Sequence, residues 1–539
     1  MNATVTPRRS RPALRLLMVL FVVAAMAIAV YPEQTPADPR TITGPYTALL
    51  ASSTDLGASR AQLVEVTAEL RNDNRPAALI DWARGRELSV RWRPGDNWAV
   101  ITGSAPALAT AFDLAVHEYR GRRGQLFYAS PQQPQVPDSL RAEITDLGRV
   151  LSFTPFHDGR PAPMPRDVPS QGLSPEALLR TYDLESLAKK GFTGKGQTVV
   201  VFAFDGFDQP DLDMFTSKFG LPEFTPDVFG GMASQRTGEA TMDLEAIHAM
   251  APDAKTVLVN ARPTVEGSGA YEKIAAMMED AHRRYPGAIW SFSIGWGCDK
   301  LITAADLAPV RAALRTAHAN GTTAFDASGD LAGLECKGGE NWSTPPGPDE
   351  VGLDAVASVP EMTDVGGTSL STDPDGNWVS EQVWFDIPLL QGTGGGVSNL
   401  FGRPEWQDHL DVGKGENRRL TPDIAAVADP HTGVKFVFGQ TVLAAGGTSL
   451  SAPLWAGITA VMDQYLAEHK GRPLGDINPL LYEVAQGARL PGFRHVPLGA
   501  NAVDRSMLTY DLVTGLGTPQ VANLAEDLLA IQKTWIGVG

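Results

Sequence analysis

From about residue 174 to its end, the 539-residue chain alternates short apolar runs with segments of helical period, and this alternation constrains the fold most. Gln197-Thr-Val-Val-Val-Phe-Ala-Phe204, Thr256-Val-Leu-Val-Asn260, residues 289–294 and residues 322–325 have the length and β-branched content of buried strands. Residues 271–282 and 304–319 carry apolar side chains at helical spacing. Buried strands separated by helices pack as a mainly parallel sheet covered on both faces. The expected class is therefore α/β for residues 175–539.

A different texture precedes that region. Residues 41–153 read as a smaller α+β domain. Leu88-Ser-Val-Arg-Trp92 and Trp98-Ala-Val-Ile-Thr102 alternate like strands, and Pro94-Gly-Asp-Asn97 turns between them. Residues 107–119 are helix-like, and Gln125-Leu-Phe-Tyr128 reads as a further strand. Residues 154–174 then hold Pro155, Pro161, Pro163, Pro165 and Pro169 with little apolar period. This is an exposed linker, either a plain hinge or a processing site.

The N-terminus bears on compartment. Arg8, Arg9, Arg11 and Arg15 precede an apolar run of 15 residues, 16–30, that closes in small-x-small triplets. Residues 1–31 thus read as a secretory signal or an uncleaved signal-anchor, since a spanning helix needs roughly 20 residues. In an exported chain the only two cysteines, Cys298 and Cys336, suggest a disulfide. The net charge of −17 argues against a nucleic-acid partner.

Three motifs carry chemistry. The first is Ala445-Gly-Gly-Thr-Ser-Leu-Ser-Ala-Pro-Leu-Trp455, whose apolar residues continue at helical spacing through Leu466. Pro453 fits the first turn, so a helix is expected to begin near Ser449. A hydroxyl at a helix N-terminus beside open backbone N–H groups suits a nucleophile, and also suits a simple helix cap. Gly366-Gly-Thr-Ser-Leu-Ser371 repeats the same letters but runs into Thr-Asp-Pro-Asp-Gly-Asn, so Ser369 reads as a strand end entering a turn.

The second motif answers the need for a base. None of the nine histidines sits in a His-Gly turn that opens a helix. Glu239 and Asp243 offer carboxylates four residues apart on one helical face, ended by Pro252. Such a pair sharing one proton becomes an acid-range base; the same spacing also describes a solvated acidic helix face. The third is Thr323-Ala-Phe-Asp-Ala-Ser-Gly-Asp330, a strand exit that puts Asp330 at the C-terminal edge of a parallel sheet. Protonated, Asp330 could donate to an oxyanion; taken singly, it is an ordinary Gly-Asp turn.

Together these pieces resemble the sedolisins, the serine-carboxyl peptidases. The family's Glu-x-x-x-Asp matches Glu239 and Asp243, its Ser-Gly-Asp matches Ser328-Gly-Asp330, and its Gly-Thr-Ser matches Gly447-Thr-Ser449. Further likeness lies in Ser293-Ile-Gly-Trp-Gly297, Gly394-Gly-Gly-Val-Ser398 and Val513-Thr-Gly-Leu-Gly-Thr-Pro519, and in Val90-Arg-Trp of the N-terminal segment. The resemblance implies a subtilisin-like catalytic domain, preceded by a propeptide that inhibits its own enzyme. It implies that Ser449 attacks the peptide carbonyl and Glu239 takes the proton. Asp243 then hydrogen-bonds Glu239, Asp330 supplies the oxyanion donor, and Trp296 packs near the acid pair. An optimum at roughly pH 3–5 follows from needing Asp330 protonated and Glu239 ionised.

The same resemblance implies polypeptide substrates, a monomer, and an extracellular or cell-surface location, with membrane contact only through an uncleaved N-terminal segment. The family's calcium site is only partly retained. His495 stands at its first aspartate, and Met507-Leu-Thr-Tyr-Asp511 keeps Asp511 alone, a loss that weakens a hard-cation site. Ala203 replaces a further family glutamate, with Asp205 two residues on. An endopeptidase is the leading expectation. A tripeptidyl-peptidase and a non-catalytic membrane-anchored binding protein on the same fold are the alternatives.

Overall fold

A computed structural model describes residues 38–156, 162–163, 172–337, 346–387 and 390–536. Residues 1–31, read above as signal or anchor, lie outside the described residues, as does most of the segment 154–174. The chain divides into two compact units, Met1–Thr41 and Ile42–Gly539. In the first, Arg40 pairs with Asp38 at 2.8 Å.

The second unit is built on an eight-stranded sheet. Its order is Asp227–Phe229, Lys255–Asn260, Thr198–Ala203, Ile289–Phe292, Ala324–Ala327, Thr363–Thr372 and Trp378–Val383, with Ile424–Val427 also paired to Thr363–Thr372. Every pairing is parallel except that of Trp378–Val383. The run of β-branched residues in Thr198–Ala203 makes sense in this setting, because both of its faces are covered. Val199, Val201 and Ala203 pack into one apolar cluster with the helices Glu239–Met250 and Thr448–Glu468. Val200 and Phe202 point the other way, into a cluster with Ala270–Arg284 and Ala308–His318.

Strand order reverses at Thr198–Ala203, the first of these eight strands in chain order but third in the sheet. In open parallel sheets that reversal opens a crevice at the strands' C-terminal ends. Ser293 follows the strand Ile289–Phe292, and Asp330 lies three residues beyond Ala324–Ala327, at that same edge.

The earlier part of the unit holds a four-stranded antiparallel sheet, Ser89–Arg91, Trp98–Gly103, Val64–Leu70 and Ile144–Leu147, with its own apolar cluster. Residues 107–119, expected as one helix, split. The helix Ala105–Phe112 ends where Asp113 takes a left-handed conformation, φ 51°, and His117–Arg120 forms a strand. Ser369 sits inside the ten-residue strand Thr363–Thr372, where its hydroxyl binds Asp429. Cys298 and Cys336 are joined as a disulfide.

Candidate active site

Two buried helices hold the candidate residues, Ser449 on one and Glu239 and Asp243 on the other, and each starts after a glycine at positive φ. Gly447 precedes Thr448–Glu468 at φ 110°, in the left-handed region. A β-carbon there would lie 2.9 Å from both Asp330 Oδ2 and Ser449 Oγ, so glycine keeps the gap between those oxygens open. Gly238 precedes Glu239–Met250 at φ 99°.

Asp330 is tied to the start of the serine helix. Its Oδ1 accepts from Thr448 N–H and from Thr448 Oγ1–H, both at 2.8 Å. Thr448 Oγ1 in turn accepts from Gly329 N–H at 3.1 Å, locking the Ser-Gly-Asp turn onto the helix. Oδ2 faces Gly447 and Ser449. Pro453, expected in the first turn, is the sixth helical residue instead. It lacks the N–H that would take the Ser449 carbonyl, and that carbonyl accepts from Ser293 Oγ at 2.9 Å.

The acid pair occupies a helix with no solvated face: all twelve residues of Glu239–Met250 are buried. Burial overrides the reading of these carboxylates as a surface stripe. It pushes the Glu239 carboxyl well above its ordinary range, with the neighbouring Asp243 adding to the rise and the Ser449 hydroxyl opposing it. Burial likewise raises Asp243, opposed by Ser293 Oγ, 2.9 Å from Asp243 Oδ1. Neither Glu239 oxygen, nor Asp243 Oδ2, nor Ser449 Oγ closes a regular hydrogen bond. Catalytic contacts often tighten only with substrate bound.

Asp205 plays a part that its sequence position only hinted at. Its Oδ2 accepts from Thr237 N–H and Oγ1–H and from Gly238 N–H, and its Oδ1 accepts from Ala240 N–H. It closes the turn that launches the acid-pair helix rather than bonding Asp243. Trp296 is fully buried between Phe204 and Phe292, and its indole N–H points at Thr264 Oγ1, 3.4 Å away, not at the acid pair. Sequence reasoning missed Ser293 as a contact of both Asp243 and Ser449. Its place at a strand's C-terminal end was the available signal.

The residues expected to hold calcium do not fit it. Asp511 Oδ1 accepts from Val513 N–H, Thr514 N–H and Thr514 Oγ1–H, and Oδ2 accepts from Met507 N–H. Both oxygens are spent on closing their own loop. His495, lowered in pKa by burial, supplies no carboxylate. Among the described residues Cys298, Asp299 and Cys336 also come together. Their thiols are consumed in the disulfide, and Asp299 accepts from Leu353 and Asn399. A cavity of about 690 Å³, lined by Leu49, Phe153, Phe156, Cys298 and Glu335 among others, touches none of Glu239, Asp243, Asp330 and Ser449.

Comparison with known proteins identifies the class. The chain is 30% identical over 492 residues to kumamolisin from Bacillus sp. (strain MN-32), covering 84% of each. It is 27% identical over 456 residues to sedolisin from Pseudomonas sp. (strain 101), covering 78% of this chain and 73% of the other. Human (Homo sapiens) tripeptidyl-peptidase 1 is 26% identical over 433 residues, or 74% of this chain and 73% of the other. No family model matches. The solved structure of Pseudomonas sedolisin, a serine-carboxyl proteinase complexed with two molecules of pseudo-iodotyrostatin, aligns at a TM-score of 0.56 and 24% identity. It covers 66% of this chain and 98% of that one, and it shows the shared fold. The protein is a serine-carboxyl peptidase with a subtilisin-like α/β domain. It belongs to the sedolisin family.

Proposed function

We propose that this peptidase is an exported, acid-acting endopeptidase made as a self-processing proenzyme, with Ser449 as nucleophile, Glu239 as base, Asp243 as its partner and Asp330 as oxyanion donor. The observation that carries this reading is the gap at Gly447, flanked by Asp330 Oδ2 and Ser449 Oγ, beside a buried acid pair. Ser449 Oγ attacks the peptide carbonyl as its proton passes to Glu239. The developing oxyanion takes a hydrogen bond from protonated Asp330 Oδ2, because Oδ1 is already engaged by Thr448. Protonated Glu239 then gives its proton to the leaving amine, and water repeats the sequence on the acyl-enzyme.

Self-processing is supported by what borders the nucleophile. Ala162–Pro163 pairs antiparallel with Ala445–Gly446, just ahead of Gly447-Thr448-Ser449. Adding a strand to an edge is a common way to hold an extended peptide. On the other side, Pro155 lies against Gly297 and the Phe156 ring meets Phe204 edge-on. Residues 41–153 act as the inhibitory propeptide in this reading, with Arg91 pairing to Glu272 and Arg93 to Glu279. Residues 1–31 direct export. No helix among the described residues is long and apolar enough to cross a membrane. Substrates are polypeptides, and the enzyme works as a monomer outside the cell or at its surface.

Similarity to tripeptidyl-peptidase 1 supports a second reading, an exopeptidase releasing tripeptides. The purified chain, incubated at about pH 4 beside Ser449→Ala, separates these cases. Self-trimming within residues 154–174 and cleavage of an N-terminally blocked peptide, both absent in the variant, support the endopeptidase. Cleavage only of peptides with a free N-terminus supports the exopeptidase. Two intact, inert chains would overturn both and favour a binding protein on the same fold.

A further inference from the structure

Asp326 and Asp364 take no part in the chemistry described above. They stand directly opposite each other on the neighbouring parallel strands Ala324–Ala327 and Thr363–Thr372. Phe325 and Val365 pack on the face that the serine helix covers, whereas Ala324 packs under Ala270–Arg284 and Ala308–His318. Side chains alternate along a strand, so both carboxyls lie on the face away from the serine helix. Asp326 is 0% exposed and Asp364 2%. Neither Asp326 oxygen, nor Asp364 Oδ1, closes a regular hydrogen bond. Neighbouring strands lie about 4.8 Å apart, so two charges here would face each other at short range in a low-dielectric interior.

The surroundings add negative charge. Burial raises both carboxyls well above their ordinary range; Asp354 and Asp364 add to the rise of Asp326, and Asp423 and Asp354 to that of Asp364. Asp354 accepts from the N–H groups of Gly297, Val356 and Ala357. Arg419 and the Thr421 hydroxyl oppose the rise of Asp364, but the Arg419 guanidinium is already paired with both Asp423 oxygens, at 2.7 and 2.6 Å. The covering helices bring Tyr271, Arg311, Arg315 and His318. Arg311 and Arg315 pair with the Glu361 carboxyl, and His318 Nε2 meets the Glu361 carbonyl at 2.7 Å. The two aspartates also border the oxyanion turn. Ser328, two residues after Asp326, donates its N–H to the carbonyl of Val365, the neighbour of Asp364, at 3.0 Å, and Ser328-Gly329 leads into Asp330.

Resting on the reading of this peptidase as acid-acting, we propose that Asp326 and Asp364 form a second buried acid pair, protonated in the working enzyme, whose ionisation towards neutral pH forces apart the strands behind the Asp330 turn and inactivates the protein. The step is a loss of protons to solvent and nothing else. Unfolded, both aspartates titrate near the ordinary 3.8; folded, they hold their protons to higher pH. Between those limits the folded chain carries more protons, so stability is full at low pH and is lost as pH rises.

The test compares the full chain with Asp326→Asn, Asp326→Ala, Asp364→Asn and the double asparagine variant. Tm is measured at about pH 4.5 and about pH 7.5, and the difference between the two is the reading, so a packing cost common to both cancels. The activity recovered at about pH 4 after a stay at about pH 7.5 gives a half-life for inactivation. The native chain is expected to lose Tm on going to the higher pH. Each single variant is expected to lose less and to outlast the native chain at about pH 7.5 by about 3–10-fold in half-life. The double variant is expected to add little to the better single one, because removing either partner already relieves the other. Single variants whose Tm falls as far as the native value overturn the proposal, and so do gains at the two positions that simply add. Full native activity at about pH 7.5 would instead sink the acid-acting reading, while the Tm differences judge the pair separately, so the two failures are distinguishable.

Discussion

Gly457 of the serine helix lies directly against Met250 of the acid-pair helix. A β-carbon at Gly457 would come within 2.7 Å of Met250 Cβ and 3.1 Å of the Ile247 carbonyl oxygen. The two helices that carry Ser449 and Glu239 therefore approach as closely as backbones allow, and this contact helps set the distance between them.

Gly457→Ala is expected to destabilise the protein. Helix propensity alone would favour alanine by about 1 kcal/mol. The neighbours it meets are main chain and a β-carbon, which cannot swing aside, and overpacking of that kind costs about 1–3 kcal/mol. The steric cost wins, so thermal unfolding is expected at lower temperature, with kcat reduced more than KM is changed.

Asp330 separates two roles that one substitution can test. Asp330→Ala removes both the proposed oxyanion donor and the anchor for Thr448, and kcat is expected to fall about 10²–10³-fold. Asp330→Asn keeps an oxygen for Thr448 and presents a permanent N–H donor. It is expected to outperform Asp330→Ala and to hold its activity to higher pH than the native enzyme. Measured kcat/KM against pH decides this; an asparagine variant whose alkaline limb stays in place would contradict the protonated-donor reading.

Stability is expected to rise as pH falls from about 7 to about 4. Burial pushes Asp463 up to about 7, and Asp306 and Asp511 up to about 6, from an ordinary 3.8. Above these values each group is ionised both folded and unfolded, and folding bears the cost of a buried charge. Below about 4 each is protonated in both states and that cost is gone. Between the limits the folded chain holds more protons, so unfolding free energy falls with rising pH. Glu361, its carboxyl held low by Arg311 and Arg315 despite burial, and His248, pushed down to about 4 by burial, run the other way, against a larger set of buried carboxyls that burial raises, Glu245, Asp326 and Asp364 among them. Melting temperatures at pH 4.5 and 7.5 check the sign.

Chelation is expected to leave the protein intact. Asp511 closes its own loop with both oxygens, and His495 stands at the site's first aspartate, so EDTA is expected to shift neither Tm nor activity. A drop of several degrees on chelation, restored by calcium, would show that the loop rearranges to bind it.

The strand–helix alternation after residue 174 by itself determined the parallel sheet, because a β-branched run such as Thr198–Ala203 can be buried on both faces only between helices. It also brought forward Glu239, Asp243, Asp330 and Ser449, since their spacings and turns are local features. What needed the tertiary structure was everything set by packing between distant segments. The i,i+4 spacing of Glu239 and Asp243 is the same on a solvated helix and a buried one. Only burial beneath the serine helix turns it into an acid pair with both carboxyls pushed above their ordinary range. Asp205 as the closure of the turn before Glu239, and the Trp296 indole directed at Thr264, depend on contacts across 20 residues or more of chain. Ser293 is the clearest case. Its place at a strand's end is the one local mark it carries, and its meaning arises where that strand end, an acid and a carbonyl deprived of its helical donor by Pro453 meet at one hydroxyl.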